Sequence, residues 1–255
     1  MMLKGKKIEM SFNELVEKAN SNSKKFSCGR GSTCPFVNTG QFARYMDKFL
    51  AGQTEQGKDV RQFREKINLS AEGISTELKK VVEGGGGLNV AAYLSGRRDC
   101  FQRRVRKERK EVKIYLSFSF PYWVTKTQIE NRLAAAVAMV RELRLKGVNV
   151  TLHLHSVTEI YKKIWDISVN ITDMNAHDLK AITTEKFTRG VLWAAKEKIA
   201  EFSMKNQTPC VADSLIENPR DGVLLNMTTE NYRTQYKTLE NAVKSITAAY
   251  NKQVD

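Results

Sequence analysis

Apolar positions recur along this chain with two periods, and the change from one to the other divides it. From Met10 to Asn20, MSFNELVEKAN, the spacing predicts a short helix, opened by Ser11 with Glu14 three residues on in the pattern of a capping box. The polar stretch that follows, SNSKKFSCGRGSTCPFVNTG, predicts loop. Gln41–Leu50 and Val60–Ile67 predict helices, and Ser70–Val82 a third, with Ile74, Leu78 and Val81 on one face. Gly84 to Gly87 are consecutive glycines and predict a flexible joint. The main boundary falls there, with 1–83 a mainly helical, loop-rich region and 84–255 an α/β core ending in a helix.

Beyond residue 111 the period shortens to two. Val112 to Phe120 places Val112, Ile114, Leu116, Phe118 and Phe120 on one face and Lys113, Tyr115, Ser117 and Ser119 on the other, which predicts a strand ended by Pro121. Thr125 with Gln128, or Thr127 with Glu130, opens a helix with Ile129, Leu133, Ala136, Val137, Val140 and Leu143 inward and Gly147 at its C-cap. Val148–Val157 alternates again, so strand, helix and strand form a βαβ unit with a parallel crossover. Ile164–Ile171 predicts a third strand and Gly222–Met227 a short fourth, with helices over roughly Asp178–Phe202 and Thr229–Lys252. The fold class is α/β, with α+β as the alternative: a mixed or parallel sheet of about four strands covered by helices, and not an OB-fold. In the last helix Tyr232, Tyr236, Leu239, Val243, Ile246 and Tyr250 form a heptad-like stripe. That stripe packs on its own domain or docks a second subunit, the route to a homo-oligomer.

Charge changes the picture. The chain carries 42 Lys and Arg against 28 Asp and Glu, a formal +14, which points to a polyanionic partner. Nine of the seventeen residues from Arg97 to Lys113 are basic and three are acidic, so this stretch alone supplies about +6. No apolar run reaches the roughly 18 residues of a membrane span, and the start MMLKGKKIEMSF lacks the apolar core of a secretory signal. Four scattered cysteines show no disulfide framework, so a reduced cytoplasmic setting is expected.

Catalytic patterns are missing: there is no P-loop, GxSxG, HExxH or pair of CxxC motifs. Cys28 and Cys34 stand too far apart for the usual structural zinc pair. His153 and His155 share one strand face but read as surface or satisfied strand histidines. Asp166, Asp173 and Asp178 lack the Glu-x-Lys partner of a metal-dependent nuclease. No metal, cofactor or enzyme activity is expected.

The basic run differs because flat rings accompany the charge. Single-strand binders combine a positive groove that follows phosphates with aromatic faces on which bases stack, each worth roughly 1–3 kcal/mol. Here Arg97, Arg98, Arg103, Arg104, Arg106, Lys107, Arg109 and Lys110 supply charge, and Phe101, Tyr115, Tyr122 and Trp123 supply rings. Tyr115 is expected to be more exposed than Leu116 and Phe118, while Phe118 and Phe120 belong to the core. Lys4, Lys6 and Lys7 add to the grip. A helix through Cys100–Lys110 would carry basic residues all round, which favours wrapping a strand over reading a duplex groove. A solvated connector and a nuclear address are the competing readings.

The order SFNELVEKA, LNVAAYLSGRRDCF, a strand, and ENRLAAAVAMVRELRLKGVNVTLHL resembles a family of bacteriophage proteins with an aromatic-Leu-x-Gly-x-x-x-Cys signature before a βαβ core. The likeness runs from Ser11 to Val157, and the C-terminal part agrees only in outline. That family is similar to Drc, the single-stranded DNA-binding transcription regulator of phages with a virion-packaged RNA polymerase. The resemblance implies coating of single-stranded DNA, oligomers on DNA, recruitment of the phage RNA polymerase, a role in replication, and residence in the host cytoplasm. It carries over no contacting residue. The Gly-x-Pro-x-Cys form of the family reads here as Gly96-Arg97-Arg98-Asp99-Cys100, with arginine for proline. Two alternatives stay open: a phage structural or interaction protein that binds RNA or a protein partner, and a metal-dependent nuclease.

Overall fold

The basic start of the chain is a strand. In the computed structural model, which describes residues 3–26, 35–36, 38–55, 57–78, 111–118, 124–160, 163–202, 210–211, 222–225 and 232–254, Leu3–Ser11 forms β1. Its lysines mask the alternation of Ile8 and Met10, but lysine suits an edge strand, where it discourages pairing with other chains. The remaining strands are β2 (Val112–Ser117), β3 (Val150–Ile160), β4 (Lys163–Asn170), β5 (Cys210–Val211) and β6 (Gly222–Leu225). They join in the order β1-β4-β3-β2-β6, with β5 pairing β3. Pairings β1·β4, β2·β3 and β2·β6 are parallel, whereas β3·β4 and β3·β5 are antiparallel. The protein therefore has the expected α/β fold with a mixed sheet, and β2 and β3 are the parallel neighbours of the expected βαβ unit.

Register explains the core. Ile8 and Met10 lie beside Ile167 and Val169, those beside Ser156 and Leu154, and Leu152 and Leu154 beside Ile114 and Leu116, which face Val223 and Leu225. One sheet face is thus an apolar layer, apart from Ser156, across five strands. The crossover helix α4 (Lys126–Leu145) packs on β3, on α3 (Gly57–Leu78) and on the last helix α8 (Leu239–Val254), while α1 (Phe12–Ser21) packs on α6 (Leu192–Ala200). The capping boxes of Ser11 with Glu14 and of Thr125 with Gln128 both form, and Gly147 takes the left-handed conformation at φ 78°. Every residue of the inward face of α4 is buried, Ile129 through Leu143. Described residues on both sides of the glycine run contribute to one apolar core, from Met10 to Tyr250. The run itself lies outside the described residues, as do Val81, Val82, Phe120, Pro121, Cys28, Cys34 and Cys100.

Four expectations change, each for a local reason. Val60–Ile67 and Ser70–Leu78 are one helix, because Ser70 does not cap a second one: its hydroxyl donates to Lys66 O at 2.7 Å and is buried within α3. The helix expected over Asp178–Phe202 is divided into α5 (Ala176–Ile182), a π-turn at Phe187–Val191 and α6. Thr183 and Thr184 hydroxyls donate to Lys180 O and Ala181 O, both at 2.7 Å, and end α5. The final helix is broken into α7 (Tyr232–Gln235) and α8, because Asn131 of α4 donates to Tyr236 O at 3.1 Å and Lys237 O at 3.4 Å. Tyr115, expected to be more exposed than Leu116 and Phe118, is buried like them at 3% exposed, since β2 is an interior strand and its second face is also covered there.

Four residues of the heptad-like stripe face inward. Tyr236, Val243, Ile246 and Tyr250 are buried in the chain's own core, so the spacing serves α8 against α3 and α4 rather than a second subunit. Gly222 opens β6 where no side chain fits: a Cβ there would stand 2.2 Å from Lys113 O and 2.8 Å from the Tyr115 ring. Gly222→Ala should therefore weaken the β2·β6 pairing and lower stability by about 1–3 kcal/mol. An unchanged urea midpoint would show that this edge adjusts freely.

Candidate nucleic-acid interface

The nucleic-acid residues expected from the sequence, Arg97, Arg98, Phe101, Arg103, Arg104, Arg106, Lys107, Arg109, Lys110, Tyr122 and Trp123, all lie outside the described residues. What is described is the end of the basic run. Glu111 accepts a hydrogen bond from Thr151 Oγ1 at 2.9 Å, and Val112 N donates to Asn149 O at 2.9 Å. The chain then enters β2, which is paired on both edges. Lys113, the last cation of the run, donates to both carboxylate oxygens of Glu9 at 2.7 and 2.8 Å, so its charge is paired on the half-exposed edge of the sheet face. Lys6 and Lys7 are exposed on the edge strand β1.

A second positive surface was not foreseen. Helix α2 (Thr39–Leu50) buries Phe42, Tyr45 and Met46 and turns Arg44 and Lys48, one helical turn apart, to solvent. Lys186, at the start of the π-turn, lies over the Tyr45 ring with its Nζ 5.5 Å from the centroid. Together with Phe36 and Asp47 these residues line an open groove of about 620 Å³, with Asp47 the single acid among the described lining residues. The floor is held by aromatic packing: Phe36 meets Phe42 edge-on at 5.1 Å and Tyr45 at 5.3 Å. Gly190 makes that seat available, because a Cβ there would stand 2.2 Å from the Phe36 ring. Burial pushes the Tyr45 hydroxyl up to about 12, which keeps it uncharged beside Lys186. In sequence, Arg44 and Lys48 look like any helix surface, and only the tertiary fold brings Lys186 to them.

At its centre the second face of the sheet buries polar side chains. His153, 1% exposed, is within hydrogen-bond distance of Thr151 Oγ1 at 3.1 Å and Ser168 Oγ at 3.2 Å. His155 Nε2 lies 2.6 Å from Asp166 Oδ1, and the Tyr115 ring sits 5.4 Å from His153 and 5.6 Å from His155. Both histidines are interior strand residues: His153 has partners at both ring nitrogens, whereas His155 is engaged at Nε2 and its buried Nδ1 has no hydrogen-bond partner among the described residues. Asp173 instead pairs with Arg144 at 2.8 Å, and Asp178 accepts from Asn175 at 2.8 Å, so the three aspartates have separate partners. Among the described residues no group of three or more His, Cys, Asp and Glu side chains is placed to hold a metal ion.

Polar burial also marks the start of α4, where Gln128, Glu130, Asn131 and Arg132 are all buried. Arg132 reaches the carboxyl ends of β2 and β6, donating from Nη1 to Ser117 O and from Nη2 to Leu225 O at 2.6 Å. Its guanidinium stands 5.5 Å from the Tyr236 ring centroid. No helix among the described residues is long and apolar enough to cross a membrane.

Neither a curated protein nor a solved structure matches the chain. One family model, described as a domain of unknown function (DUF7192), matches residues 8–252. That match takes in β1 from Ile8 onward, the other five strands and nearly all of α8, and the chain belongs to the DUF7192 family.

Proposed function

We propose that the chain is a non-enzymatic, sequence-tolerant single-stranded DNA-binding protein whose grip is the basic run of residues 97–110. The observation that supports this reading is the join between the run and β2, an interior strand paired on both edges and fixed by Glu111 and Val112. A grip held at one end loses less conformational entropy on binding than a free tail, so more of its phosphate contact energy appears as affinity. The net charge of +14 supplies attraction, and Lys6 and Lys7 extend it onto the sheet edge. The phage resemblance supplies the setting: transcription, with recruitment of the phage RNA polymerase, and replication in the host cytoplasm. Self-association on DNA would use a surface other than the inward-facing stripe of α8.

The test is a fluorescence titration of single-stranded DNA, duplex DNA and single-stranded RNA of equal length at two salt concentrations. With six to ten phosphate contacts, affinity for single-stranded DNA falls by about 10³–10⁵ between 50 and 200 mM salt. A flat salt response rejects the phosphate grip. Equal affinity for the duplex rejects the single-strand assignment.

A further inference from the structure

The groove over α2 lies on elements distant in sequence from the basic run and has its own chemistry. Arg44 and Lys48 stand one turn apart on one side, and Lys186 comes from the π-turn segment. Each is exposed at its end, and the described lining offers one carboxylate, Asp47, against three cations. Two of the cations are held in place: Arg44 Nε donates to Gly40 O at 3.2 Å, and Lys186 rests over Tyr45. The floor is apolar and rigid because Phe36 is seated against Gly190. Its volume of about 620 Å³ falls within the range of small-molecule sites. Cations spread around an aromatic floor suit a ligand with a compact anionic group and a flat or apolar body. The π-turn that follows Lys186 and backs Phe36 through Gly190 is the kind of helix irregularity that recurs at functional sites.

We infer that this groove is a nucleotide subsite: Arg44, Lys48 and Lys186 take the phosphate, and the sugar and base lie against Phe36 and Tyr45. The inference rests on the nucleic-acid reading above and adds a second, separable contact to it. The same chemistry fits a nucleotide within a strand and a free nucleoside monophosphate.

The experiment uses the full chain and calorimetric titration with thymidine 5′-monophosphate, thymidine and inorganic phosphate, alongside a polarisation titration with an unphosphorylated thymidine oligonucleotide. Two variants are compared after circular dichroism confirms folding: Arg44→Ala/Lys48→Ala/Lys186→Ala in the groove, and Arg103→Ala/Arg104→Ala/Arg106→Ala in the run. Wild type should bind the monophosphate at about 1 mM or tighter, and thymidine at least about tenfold more weakly. The groove variant should lose the monophosphate by about tenfold or more, since each charge-assisted contact is strong enough for that, whereas the run variant should retain it. If the groove variant also weakens the oligonucleotide, the occupant is a nucleotide of the strand. If it weakens the monophosphate alone, the occupant is a free nucleotide. Monophosphate binding that is absent in wild type, or equal in the groove variant, overturns the inference. Loss of the oligonucleotide in the run variant at the same time would leave the single-strand reading standing.

Discussion

Arg132→Ala should cost about 3–5 kcal/mol, a large part of the 5–15 kcal/mol that holds a typical domain folded. The side chain is 1% exposed, and its two amino groups hold Ser117 O and Leu225 O. Those carbonyls lie at the end of the described β2·β6 pairing, which runs from Lys113 beside Gly222 to Leu116 beside Leu225. Truncation leaves both acceptors buried and opens a cavity beside Tyr236. One effect opposes this, because the desolvation cost of the buried cation disappears with it. Arg132→Met separates the two: it keeps the volume, removes the charge and orphans the carbonyls. Loss of about 2 kcal/mol or more in Arg132→Met, read from the urea midpoint at unchanged slope, assigns the effect to the carbonyls. A methionine variant as stable as wild type would reduce the arginine to a space-filler.

Period and capping carried much of the fold. The alternation of Val112–Phe120 and Val148–Val157 and the capping box at Thr125 placed the βαβ unit, because each strand keeps one face in the helix-covered layer. Where the sequence misled, the competing interaction came from a distant residue or from the segment's own side chains. Asn131 breaks the final helix from another element, and Lys-rich β1 becomes a strand only because β4 lies beside it. Tyr115 looked like the outer face of a two-faced strand, a pattern that assumes one face meets water. With His153 and His155 beside it, that face is interior too. The groove was the least legible feature, since its three cations come from two segments and have meaning only beside Phe36 and Tyr45.

The other large effect belongs to Glu130, which carries its charge inside the helix layer. Its carboxylate is 10% exposed, is held by Lys180, itself 4% exposed, and accepts from Lys66 Nζ at 2.7 Å. Lys180 also lies 6.0 Å from the Phe63 ring centroid. Glu130→Leu strands the Lys180 ammonium in this interior and should cost about 3–5 kcal/mol, as breaking a buried pair from one side does. Glu130→Leu/Lys180→Met removes both charges and should recover most of that loss, because the pair as a whole gains little over a well-packed apolar contact. A double variant no more stable than Glu130→Leu would mean that shape, not charge, makes the site sensitive. Acid gives an independent check. Burial pushes the Glu130 carboxyl up, but the hydrogen bonds from Lys180 and Lys66 outweigh it and hold the group below its ordinary value of 4.5. A carboxyl depressed in the folded state stabilises above its unfolded value, and that contribution is lost as pH falls through the folded one. Wild type should therefore lose more stability than the double variant as pH drops from 4.5 downward, and parallel losses in the two would remove Glu130 as the source.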